Sequence, residues 1–181
     1  MNFAPLRQAI IDYVREMSGL AVGFVYFDHQ AAPPPPRPCI SIHVRNPGRQ
    51  RGRDGGYATQ TDAGGGDGTV LQRFYGNREA TVVLSAYGDT AYDLLEAVRR
   101  ATHTDTGQER ALALGIAVVV EEPRSVPALV DGQTYETRFV AEARFSYVAT
   151  YTEAITPVDL LLAENEAGED FTFDISVNTE P

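Results

Sequence analysis

Apolar residues recur along this chain with two periods, and the alternation between them predicts its elements. Leu6, Ile10, Tyr13, Val14 and Met17 fall on one face of a helix over residues 3–17, with Pro5 near its start and Ser18-Gly19 at its end. Residues 22–27 form a short, nearly continuous apolar run, predicting a strand. Pro33 to Pro36 and Pro38 then impose a stiff, extended segment unable to donate to a sheet. Residues 39–45 alternate, with Ile40, Ile42 and Val44 opposite Ser41, His43 and Arg45, the mark of a half-buried strand. Residues 46–68 lose all apolar periodicity and predict a long Gly/Arg-rich loop, a length that in compact domains belongs to functional or disordered segments. Two strands follow, 70–75 and 79–87, with Gly76-Asn77 as the hairpin turn between them.

Further along, Ala91, Leu94, Leu95, Val98 and Ala101 line a helix over residues 90–103, with Thr90 and Asp93 as a capping box. A short helix over 106–114, capped by Asp105 and closed by Gly115, leads into the apolar run 116–120, consistent with a strand covered on both faces. The longest strand signal spans 134–151. Phe139, Ala141, Ala143, Phe145, Tyr147, Ala149 and Tyr151 share one face, and Arg138, Val140, Glu142, Arg144 and Ser146 share the other. At ~3.3 Å per residue such a strand reaches ~60 Å, so it either bends or runs past the domain body. Residues 160–162 and 171–177 add two short strand patterns. The order predicts a single α+β domain: a mixed or antiparallel sheet, helices packed on one face, long hairpin strands and an extended loop. We expect that domain to occupy residues 1–157, with 47–68 as a flexible arm and 158–181 as an acidic extension.

Composition sharpens this picture through charge. The 181 residues carry 25 acidic and 15 basic side chains, a net charge of −10, and every basic residue is Arg. The absence of Lys excludes a Schiff-base lysine, a P-loop lysine and a Ser–Lys dyad. Residues 1–151 are nearly balanced, whereas 152–181 hold no Arg and eight acids. Arg37, Arg45, Arg49, Arg51 and Arg53 fall within a stretch free of acids. Solvated charge is the ordinary reading of such runs; the sharper one is complementarity between copies of the chain or with a partner.

Catalytic patterns are missing. His29, His43 and His103 are far apart, and Cys39, the lone cysteine, sits among apolar residues as an inert buried thiol. The glycines at 64, 65, 66 and 68 lack the preceding strand and following helix of a phosphate loop. Asp62 and Asp67 lack the ligand density of a Ca²⁺ loop. Glu121 and Glu122 are adjacent and so point to opposite faces of a strand. The acidic balance argues against nucleic-acid binding. No apolar run nears the ~20 residues of a membrane span, and the N-terminus is a charged helix pattern rather than a signal peptide. No catalytic residue, cofactor site or metal site is therefore expected.

Three short patterns carry a resemblance: Pro38-Cys39-Ile40-Ser41-Ile42 after the Pro-rich turn; Leu84-Ser85-Ala86-Tyr87-Gly88-Asp89-Thr90-Ala91, a strand running into a helix; and Tyr135-Glu136-Thr137-Arg138-Phe139, the entry to the long strand. Together, across residues 3–158, the chain resembles the neck or tail terminator proteins of tailed bacteriophages. It departs from them in the Gly/Arg loop and the acidic tail. The resemblance implies a ring of copies, typically six, in the neck of the virion. Such a ring would cap the tail tube, end its polymerisation and join the tail to the head connector, with DNA passing through the lumen unbound. A stopper or tail-tube-like subunit of the same particle is the alternative, and a small hydrolase a third. Candidate assembly residues are Arg45, Arg49, Arg51, Arg53, Arg138 and Arg144 on the basic side, and Glu164, Glu166, Glu169 and Asp170 on the acidic side.

Overall fold

The computed structural model describes residues 4–28, 33–62, 70–130 and 134–155. Its elements run α1 (Ala4–Ser18), β1 (Val25–Phe27), β2 (Cys39–Asp62), β3 (Val70–Tyr87), α2 (Ala91–Ala101), α3 (Asp105–Ala113), β4 (Ile116–Val120), β5 (Arg124–Ser125), β6 (Ala128–Val130), β7 (Thr134–Glu136) and β8 (Arg138–Ile155). A six-stranded sheet has the order β1-β2-β3-β8-β4, with β5 also on β8, and β6 and β7 form a separate hairpin. The β1–β2 pair is parallel and all others are antiparallel. This is the expected single α+β domain with a mixed sheet.

Strand parity places the core. Ile42, Leu84 and Ala141 lie side by side across β2, β3 and β8, and so do Val44, Val82 and Ala143. Against that face pack Leu6, Ile10, Tyr13 and Val14 of α1, Leu95 and Val98 of α2, and Ala111 of α3. Tyr13 meets Phe145 edge-to-face with ring centroids 6.5 Å apart. Each large apolar side chain buried here contributes about 1.5–3 kcal/mol, enough for one cluster to hold helices and sheet together. The predicted stripes of both long helices are the ones buried.

Several local expectations are corrected. Residues 46–62 are not a loop but the continuation of β2, paired with β3 as far as Asp62↔Val70. Gly76-Asn77 is not a turn: β3 runs unbroken through it, paired with β2 on one side and β8 on the other. Thr90 makes no side-chain cap, and Thr104 rather than Asp105 caps α3, its hydroxyl accepting from the Gly107 amide at 3.3 Å. In β4, Ile116 and Val120 are buried but Val119 is exposed, so the strand is covered on one face only. The short strands expected at 160–162 and 171–177, the acidic extension and the glycines at 64–68 lie outside the described residues.

Candidate assembly interface

The long strands build a ribbon. β4 and β5 line the outer edge of β8 only up to Tyr147, the partner of Ile116. Beyond that point β2, β3 and β8 run on together, and β3–β8 pairing continues in step to Val70↔Ile155. On the other side, β1 lines β2 only at residues 40–42. Past the body the ribbon is therefore three strands wide, and no described strand pairs with either of its outer edges. At ~3.3 Å per residue, the 18 residues of β8 span ~60 Å.

β2 reaches this length irregularly. Its register against β3 shifts between Val44/Asn46, Asn46/Arg49, Arg51/Gly55 and Ala58/Asp62. The first two shifts each insert one residue on β2 and reverse the facing of the side chains beyond, whereas the last two each insert two and leave it unchanged. Pro47, which lacks an amide hydrogen, falls at one shift, and its carbonyl accepts from the Tyr147 hydroxyl at 3.1 Å. Gly52, with φ of 77°, falls at another and supplies a backbone that L side chains rarely adopt.

A buried ion pair braces the root of the ribbon. Arg78 is 7% exposed and shares the parity of Ala80 and Val82, the core side of β3. Its Nη1 and Nη2 each donate to Asp54 at 2.7 Å, a two-point grip on the carboxylate. The hydrogen bonds from Arg78 hold the Asp54 carboxyl below its ordinary value. A Cβ at Gly76 would lie 2.2 Å from Asp54 Oδ1, so the pair occupies the space that a side chain there would need. This pair was not among the expected residues. Its signal was an arginine on the apolar face of a strand, since a buried charge requires a partner.

The candidate arginines whose side chains are described divide into three groups. Arg45 pairs with Glu142 at 3.0 Å, and Arg51 with Glu79 at 2.5 Å, both arginines being more than half exposed. Arg49 and Arg144 are exposed with no ion pair among the described residues. Arg138 is half-buried: it donates to Ser85 Oγ at 2.9 Å and lies over the Tyr87 ring. The backbone of Arg53 is in β2. Glu164, Glu166, Glu169 and Asp170 lie outside the described residues. Among the described residues, no three His, Cys, Asp or Glu side chains gather to hold a metal, and no helix is long and apolar enough to cross a membrane. Cys39 is 2% exposed, and burial pushes its thiol up from the ordinary value.

The family model for the phage neck terminator protein matches residues 4–180. The chain belongs to the phage neck terminator family. The match covers nearly the whole chain, and so takes in both the Gly/Arg segment and the acidic tail, beyond the stretch that carries the resemblance in the sequence. A comparison with curated proteins gives no match. Family membership makes this a structural protein of the head–tail junction, in the neck of the particle.

Proposed function

We propose that this neck terminator assembles head to tail into a closed ring, six copies in number. The ring caps the tail tube, ends its polymerisation and joins the tail to the head connector. The family match over residues 4–180 carries this reading. The ribbon supports it, because the outer edge of β2 and its exposed arginines are suited to a heterologous contact that closes by rotation. In that contact Arg45, Arg49, Arg51, Arg53 and Arg144 face the acids Glu164, Glu166, Glu169 and Asp170 of a neighbouring copy. Arg138 supports the fold beside them. The net charge of −10 suits a lumen through which DNA slides, since like charge prevents binding to phosphate.

Two measurements test the proposal. Mass measurement of the protein mixed with purified tail tubes should find a ring of copies on each tube end; a protein that never caps tubes overturns the reading. Electron microscopy of particles lacking the protein separates the alternatives. Overlong or free tails are expected of a terminator, and leaking, DNA-empty heads of a stopper.

A further inference from the structure

The outer edge of β8 is lined unevenly. β5 and β4 cover it from Phe139 to Tyr147, and beyond Tyr147 no described strand pairs with it through Ile155. Among the described residues, eight consecutive positions thus have no strand partner on that side, a template for one more strand. Beside this edge runs a mostly apolar trough of about 660 Å³, lined by Leu6, Ala9, Leu114, Ile116, Tyr147 and Tyr151 and also by the mutually paired Asp54 and Arg78. Val148 and Tyr151, at the edge itself, are large apolar residues left exposed.

We propose that the chain's own residues 171–177 dock on this edge as an additional antiparallel strand. Four observations favour that occupant. The segment reads Phe171-Thr172-Phe173-Asp174-Ile175-Ser176-Val177, the strict alternation of a half-buried strand, with four apolar side chains on one face. Its seven residues nearly span the eight of the open edge. The connector from Ile155 to Phe171 is 15 residues long, sufficient to reverse direction at the ribbon tip. Consecutive strands pair or neighbour in most folds, and a tethered segment competes at high effective concentration. Docked this way, Phe171, Phe173, Ile175 and Val177 fill the trough, while Thr172, Asp174 and Ser176 face away from it. The acids Glu164 to Asp170 then lie in the reversing connector at the ribbon tip.

Hydrogen exchange on dilute full-length protein tests this independently of ring formation. In an antiparallel edge strand every second amide points outward. The outward amides of residues 148–155 should exchange at least about tenfold more slowly in the wild type than in the double variant Phe173→Asp/Ile175→Asp. The amides of residues 82–86 should not change, which separates undocking from unfolding, and Ile175→Val should keep the protection. Equal exchange at residues 148–155 in wild type and double variant overturns the proposal. A cysteine at Ala149 or Tyr151 together with one at Ile175 should oxidise to a product of monomer mass. A product of dimer mass, or none, overturns the assignment to the chain's own segment.

Discussion

At the scale of single residues, the most informative groups are the ones whose burial and chemistry disagree. Tyr13 is completely buried, and its hydroxyl has no hydrogen-bond partner among the described residues; burial pushes its pKa up. An unsatisfied buried hydroxyl costs about 1–3 kcal/mol, so Tyr13→Phe should raise the unfolding free energy by about 1 kcal/mol in denaturant titration. Gly76 has the opposite character, because its missing side chain is what admits the Asp54–Arg78 pair. Gly76→Ala should destabilise the protein by about 1–3 kcal/mol, the usual cost of overpacking. The pair also sets a pH dependence. The Asp54 pKa is lowered on folding, so its contribution is complete above the ordinary value of 3.8 and is lost as pH falls through the lower folded value. The stability gap between wild type and Asp54→Asn should therefore be constant near neutral pH and close below about 3.8.

At the scale of elements, what could be read from the sequence depended on whether a segment kept one period. The stripe of α1 and the alternation of β8 are single-period patterns over one interface, and both were legible. β2 was half legible. Its first residues alternate, but from Arg45 onward two single-residue insertions reverse the facing of side chains and two longer ones interrupt it, so no one alternation runs through the strand. A strand therefore resembled a loop. Gly76-Asn77 misled for a related reason: turn residues sit mid-strand where an ion pair crowds the backbone. The candidate arginines stand out in the sequence as charges, but their ion pairs do not, because the partners of Arg45 and Arg51 are on other strands. In the ribbon, replacing Arg49, Arg51 and Arg53 together with Ala should reduce assembly on tail tubes severalfold while leaving the melting temperature within a few degrees. Surface ion pairs such as Arg51–Glu79 contribute little to folding. Unchanged particle yield would remove these arginines from the interface.

At the scale of the whole molecule, the net charge of −10 resolves into a balanced body, a ribbon edge bearing arginine and an acidic terminal segment. If opposite signs meet between copies, association should weaken with salt, because the screening length shrinks from ~10 Å at 0.1 M to ~3 Å at 1 M. Titrating ionic strength during tube capping should slow capping progressively, while the melting temperature stays nearly constant. A salt-independent capping rate would place the attraction in apolar contact instead.

The register shifts of β2 have a further consequence, for how such a ribbon tolerates change in sequence length. β2 uses 24 residues to line the 18 of β3, whereas β3 and β8 keep step without a single shift. An insertion or deletion in the shifted part of β2 adjusts a slack strand and leaves the other two in phase. The same one-residue change in β3 or β8 would turn every side chain beyond it to the opposite face. The ribbon thus combines a phase-locked pair of strands with one edge free to drift in length, and that edge bears Arg45, Arg49, Arg51 and Arg53.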